Sequence, residues 1–195
     1  MKPLRIVIAD DEAVIRMDLK EILQEAGHEI VGETANGRRV VAIVRDTRPD
    51  LVVMDVKMPD MDGIEAARLI AAEHLAPVLL LTAFDDAELI ERAKDAGVLA
   101  YLVKPVEERN LFPAMEIALS RWQEMESLEE ELSAMRDSLE TRKLLDRAKG
   151  ILMQAHNISE DEAYRRLQRY SMEKRRSLKD VAAAVVQAGT KKKRK

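Results

Sequence analysis

No cysteine occurs among the 195 residues. Disulfides, thiolate metal sites and a cysteine nucleophile are therefore excluded together, and the composition fits a reducing cytoplasmic setting. No stretch of about 18 apolar residues exists, so no membrane-spanning segment is expected. The N-terminus, MKPLRIVIADDEAV, meets acidic residues directly after a short apolar run and shows no signal-peptide cleavage pattern. Internal repeats and low-complexity stretches are also missing, apart from a Lys-rich end. Three scattered histidines make no metal set.

What is present divides into an acidic front and a basic back. Hydrophobic residues at 47% and charged residues at 35% describe a folded protein rather than a disordered one. The length suits one ordinary domain plus a smaller one. Residues 1–140 carry 16 Lys and Arg against 30 Asp and Glu, whereas residues 141–195 carry 16 against 6. Such halves suggest two tasks, the second involving a polyanion. Five of the late positive charges lie in the terminal run KKKRK, and the back half stays positive without them.

Over the first 120 residues, short apolar runs alternate with amphipathic stretches. LRIVIA (4–9), EIVGET (29–34), LVVMD (51–55), PVLLLT (77–82) and LAYLV (99–103) read as strands, being short and rich in Val, Ile and Leu. Several are apolar at consecutive positions, as strands covered on both faces must be. Helical patterns lie between them at about 12–26, 37–47, 63–73, 86–96 and from 107 onward. Gly27 and Gly97 stand where helices end, and Pro49 and Pro77 precede the next strand. Five β-α units predict an α/β protein with a doubly wound parallel sheet.

The fifth helix does not stop. From Asn110 to Arg147 the only proline is Pro113, near its start, and there is no glycine. Met115, Ala118, Trp122, Met125, Leu128, Leu132, Met135 and Leu139 form a heptad-like seam with one break at Met125–Leu128. Such a seam packs on the chain's own helices or on a second copy, and spacing alone does not choose. Three helical segments follow: LLDRAKGILMQAH (144–156), one opening at Ser159 with Glu162 at capping-box spacing, and one from near Ser177 to Gly189.

In a parallel sheet, side chains at the carboxyl ends of the strands converge on one crevice. Here those ends supply Asp10, Asp11, Asp55, Thr82 and Lys104. Crowded carboxylates repel and ask for a cation, and an oxygen-only set suits Mg²⁺. A carboxylate also serves as a nucleophile toward phosphorus. Asp55 ends the central strand and is the best placed. Taken singly, each residue has a plainer reading: Asp10, Asp11 or Thr82 as a helix cap, Lys104 as a solvated loop residue, Tyr101 as packing. Together at the right strand ends they do not. Asp60 and Asp62, beside Pro59 and Gly63, read as turn and cap residues.

These residues carry a resemblance. DDE, MDVKMPDMDG, LTA and YLVKP resemble the receiver domain of two-component response regulators over residues 3–122. The resemblance implies a flavodoxin-like five-stranded fold, phosphorylation of Asp55, and Mg²⁺ held by Asp10, Asp11, Asp55 and the Lys57 carbonyl. It implies that Lys104 and Thr82 contact the phosphoryl group, that Tyr101 turns inward behind Thr82, and that Lys104-Pro105 is cis. A sensor histidine kinase is the implied donor.

Residues 141–186, through AKGILM, EDEAYRRLQRYS and RRSLKDVAAAVV, resemble an ANTAR domain, an all-α RNA-binding antitermination module. The expected divisions are a receiver over 1–120, a coiled-coil linker over 121–140, an ANTAR domain over 125–186 and a disordered basic tail over 187–195. Arg142, Lys143, Arg147, Lys149 and Arg175 are the candidate contacts to RNA stem-loops. Helical spacing puts Arg142, Lys149, Lys143 and Arg147 on overlapping outer faces. Tyr164 and Tyr170 could stack on bases, although their apolar surroundings favour core packing. Gly150 inside a helix costs up to about 1 kcal/mol relative to Ala, which suggests close helix packing there.

Three rival readings have discriminating features. A DNA-binding helix-turn-helix needs a recognition helix after SLKDVAAAVV, where only QAGTKKKRK remains. A phosphohydrolase needs a general acid two residues past the nucleophile, and Lys57 stands there. A module that only dimerises through the seam needs no basic domain. The sequence favours a stoichiometric switch, with a homodimer on phosphorylation as a further expectation.

Overall fold

The computed structural model describes residues 2–83 and 87–192. The chain divides into two compact units, Met1–Glu126 and Ser127–Lys195.

In the first unit, β1 (Arg5–Ala9), β2 (Glu29–Thr34), β3 (Leu51–Asp55), β4 (Val78–Thr82) and β5 (Ala100–Val103) form a parallel sheet in the order β2-β1-β3-β4-β5. Between them run α1 (Ala13–Glu25), α2 (Gly37–Thr47), α3 (Gly63–Ala72) and α4 (Ala87–Asp95), and α5 (Glu108–His156) follows β5. The sheet is doubly wound, as the alternation of elements predicts, and the fold is flavodoxin-like, as the resemblance implies.

Side-chain alternation sorts the sheet into two cores. Ile6, Ile8, Leu51, Val53, Leu79 and Leu81 pack with Leu19 and Leu23 of α1 and Leu111, Met115 and Ala118 of α5. Val7, Ala9, Val52, Met54, Val78 and Leu80 face the other way, onto α2, α3 and α4. Consecutive apolar residues in the strands are thus explained by burial on both sides.

Local chemistry fixes the helix ends. Asn36 caps α2 by accepting from the N–H groups of Arg38 and Arg39, and Asp62 caps α3 by accepting from Glu65 N at 2.7 Å. Asp60 takes a positive φ of 65° in the turn before it. Gly27 (φ 84°) and Gly97 (φ 79°) occupy the left-handed positions after α1 and α4.

His28 is buried beside this first core. Its Nδ1 accepts from Leu4 N at 3.2 Å and its ring lies 6.3 Å, tilted, from Phe112. Burial, helped by the positive N-terminus, holds its pKa below the ordinary 6.5. A base with a depressed folded pKa contributes stability that is full above the unfolded value and is lost as pH falls through the folded one. Below pH 6.5 the wild type should therefore lose stability faster than His28→Gln, by up to about 1.4 kcal/mol per pH unit from this group. Urea melts of both proteins across that range check this; parallel curves would remove the assignment.

In the second unit, the later part of α5 is joined by α6 (Glu160–Lys174) and α7 (Leu178–Lys192). Ser159 caps α6 by accepting from Glu162 N at 3.3 Å, and Ser177 accepts from Asp180 N at 3.1 Å. The core is small: Ala148, Leu167, Val181 and Ala182, with Leu144, Leu145, Leu152, Leu178, Val185 and Val186 around it.

Two expectations need correction here. The helix does not stop at Gly189, and residues 187–192 of the expected disordered tail are helical; residues 193–195 lie outside the described residues. A single glycine disfavours a helix by about 1 kcal/mol without having to end it. Gly150 is not closely packed either, since a Cβ built there meets nothing within 4 Å.

The seam behaves in two ways. Met115 and Ala118 are buried against the sheet, whereas Leu128, Leu132, Met135 and Leu139 are each more than half exposed. Among the described residues, no helix is long and apolar enough to cross a membrane.

Candidate functional site

The strand order reverses at β1, which has β2 on one side and β3 on the other. Chain segments leaving β1 and β3 diverge there, and the crevice they open is lined by their carboxyl ends. Asp10 follows β1 directly and Asp55 closes β3. The carboxylates of Asp10, Asp11 and Asp55 place oxygens within 4.8 Å of one another; Asp10 and Asp55 are buried and Asp11 is exposed. Asp11, Glu12, Asp55, Lys57, Thr82 and Lys104 line a cleft of about 210 Å³.

Lys104 organises the acids. Its Nζ lies 2.8 Å from Asp10 Oδ2, 2.9 Å from Asp55 Oδ1 and 3.6 Å from Glu12. The backbone N–H of Lys57 donates to Asp55 Oδ2 at 3.0 Å, and that of Glu12 donates to Asp10 Oδ1 at 2.9 Å. Lys104 N also donates to the Thr82 carbonyl at 2.8 Å, tying the ends of β4 and β5 together.

Electrostatics follows from this layout. Burial alone would lower the Lys104 pKa, but hydrogen bonds to Asp10 and Asp55 outweigh it and hold the ammonium charged. Burial pushes the Asp55 carboxyl up, against the pull of Lys104, and the neighbouring Asp10 charge adds to the push. One ammonium therefore serves three crowded carboxylates. Asp10 is fully buried, and the Lys104 ammonium it shares with Asp55 is its charged partner, 2.8 Å from Oδ2.

An oxygen-only donor set with a deficit of positive charge fits Mg²⁺. Asp10, Asp11 and Asp55, with the Lys57 carbonyl, are the residues that would hold it. The Lys104-Pro105 peptide is cis. Tyr101, on β5, is 43% exposed, whereas Thr82 is buried.

One positioning residue escapes the strand-end pattern. Arg16, on α1, donates from Nη1 to the carbonyl of Asp10 at 2.7 Å and to that of Asp11 at 3.4 Å. It anchors the acidic turn by its main chain, an interaction that carries no motif. A basic residue at a half-buried helical position was the available signal.

The five RNA-contact candidates are not equivalent. Lys149 is drawn into ion pairs with Asp146 at 2.7 Å and Glu160 at 2.6 Å, and its side chain is only 17% exposed. It joins α5 to the start of α6 and does not lie open on the outer face. Arg142 borders a cleft of about 600 Å³ with Asp146, Glu160 and Tyr164. Lys143 and Arg147 are exposed on α5, and Arg175 is the left-handed residue that ends α6 (φ 50°). Tyr164 and Tyr170 are not core residues: both are exposed, and the Lys174 ammonium lies 5.8 Å from the Tyr170 ring centre. The core is filled instead by Leu167, Val181 and two alanines, with leucines and valines around them.

Comparison with known proteins supports the same division. Residues 6–116 match the response regulator receiver domain and residues 133–186 match the ANTAR domain. The transcriptional regulatory protein PdtaR of Mycobacterium tuberculosis is 50% identical over 191 residues, covering 97% of this chain and 93% of that protein. The chemotaxis protein CheY of Thermotoga maritima is 35% identical over 112 residues, 57% of this chain and 93% of its own. Among solved structures, the receiver domain of a modulated diguanylate cyclase from Desulfovibrio desulfuricans G20 superimposes with a TM-score of 0.58 at 28% identity. It covers 63% of this chain and 98% of that one. The response regulator domain of Thermotoga maritima CheB gives 0.57 at 25% identity, covering 61% and 98%.

Proposed function

As the chain belongs to the response regulators, with a receiver domain and an ANTAR domain in one polypeptide, we propose that it is a phosphorylation-switched, RNA-binding transcription antiterminator. The observation that carries the switch is the buried Asp55 carboxylate, 2.9 Å from Lys104 and grouped with Asp10 and Asp11.

A phosphohistidine of a sensor histidine kinase is the donor. An Asp55 oxygen attacks phosphorus; the O–P bond forms, the N–P bond breaks, and the histidine nitrogen keeps the electron pair. Asp10, Asp11, Asp55 and the Lys57 carbonyl hold Mg²⁺, which when bound supplies positive charge to the phosphoryl oxygens. Lys104 contacts the same oxygens from the β5 side. The new group, of about −1.5 to −2 charge, then offers Thr82 a strong acceptor, and Tyr101 turns in behind it. A bias of a few kcal/mol between two existing states suffices for such a switch. Lys57, where a general acid would stand, favours a stoichiometric phosphoacceptor over a turnover enzyme.

The output is the positively charged all-α unit. It binds stem-loops in nascent RNA and so prevents termination of transcription. The exposed stripe Leu128, Leu132, Met135 and Leu139 is the surface on which two phosphorylated copies would pair.

Fluorescence anisotropy with the full chain tests the RNA reading. An RNA hairpin should bind more tightly than duplex DNA of equal length. Affinity should fall by about 0.7 log units per log unit of salt for each phosphate neutralised on single-stranded RNA. Equal affinity for both nucleic acids, or no dependence on salt, would defeat the assignment.

A further inference from the structure

The glycine at position 150 has no reason inside its own fold. It lies within α5, where glycine is worse than alanine by about 1 kcal/mol, and a Cβ built on it meets nothing within 4 Å. No positive φ is required there either, since the glycines with positive φ are Gly27 and Gly97. A helix interior that keeps its bare backbone facing open space is fitted for something outside the chain that comes close.

The surroundings give the character of the visitor. Helical spacing places Lys143, Arg147 and Gly150 on one face, three and four residues apart. The nearby acids are already engaged: Asp146 pairs with Lys149 at 2.7 Å, and Glu140 with Lys179 at 2.8 Å. Lys143 and Arg147 make no ion pair among the described residues, and both are exposed. The face is therefore net positive beside a strip of uncovered main chain. The apolar stripe that could receive a second copy ends earlier, at Leu139.

We infer that the Lys143–Arg147–Gly150 face of α5 is where the RNA sugar-phosphate backbone docks, with Gly150 giving contact distance and the two cations neutralising flanking phosphates. This rests on the RNA-binding reading above and deepens it. Lys149, although in the same motif, acts as an internal tie and not as a phosphate contact.

The test uses the full chain and a fluorescein-labelled pool of RNA hairpins with randomised loops. Gly150→Ala should raise the melting temperature, because alanine is the better helix former, yet weaken RNA binding about tenfold or more, as a methyl group forces the backbone away. Lys143→Ala and Arg147→Ala should each reduce the salt slope by about 0.7 with the fold unchanged. Undiminished binding by Gly150→Ala overturns the face while leaving the RNA reading standing. A lower melting temperature, or a shift in monomer–dimer balance by light scattering with unchanged RNA affinity, overturns it in favour of a folding or pairing role. If the wild-type chain binds no RNA, the RNA reading falls and this face falls with it.

Discussion

Asp55→Asn should reduce phosphoryl transfer from a histidine kinase to background while leaving the protein folded. An amide nitrogen or oxygen does not form the acyl phosphate, and no other carboxylate of the cluster ends the central strand. The fold should tolerate the change because the site already penalises ionisation. Burial pushes the Asp55 carboxyl up and Asp10 adds to the push, so a neutral group of the same shape removes a repulsion. The amide oxygen still accepts from the Lys57 N–H, which now reaches Asp55 Oδ2 at 3.0 Å. Radiolabel transfer measures the first effect and thermal melting the second. Undiminished labelling would move the phosphoacceptor elsewhere; loss of the fold would mean that the pair with Lys104 is structural.

Leu167→Ala should separate the two units functionally. Leu167 is 2% exposed in a core otherwise built of Ala148, Val181, Ala182 and half-buried neighbours. Truncating a buried leucine costs about 2–5 kcal/mol, and a unit of this size has little stability to lose. Helical signal from α6 and α7 should melt early and RNA binding should disappear, while Asp55 is still phosphorylated. The receiver core shares no member with this cluster. Retained RNA binding would show that the three-helix packing is not needed for recognition.

Much of this was legible in the residues themselves. The strands declared themselves because both faces are covered, so apolar residues run consecutively through LVVMD and VLLLT. The receiver site was legible for a related reason: in a parallel sheet, strand ends converge whatever the loops do, and Asp10, Asp55, Thr82 and Lys104 all stand at such ends. Arg16 was not, because it works through main-chain carbonyls and belongs to no pattern. The basic helices were harder to read. Charge on a helix surface shows where a cation begins but not whether an acid on the next helix claims it, as Glu160 claims Lys149. Tyr164 and Tyr170 misled because an apolar neighbourhood in sequence became the rim of a small core rather than its interior.

Two glycines, one against Asp55 and one against the loop that follows it, bear on the direction of the signal. A Cβ on Gly63 would lie 2.1 Å from the carbonyl oxygen of Asp55 itself, and one on Gly37 would lie 2.1 Å from that of Met61. The segment joining β3 to α3 thus lies close against its own strand and the start of α2, with main-chain carbonyls as the nearest atoms. If Asp55 takes up a phosphoryl group as proposed, that flank is closed to it, and displacement is expected on the opposite side, at Thr82 and the half-exposed Tyr101.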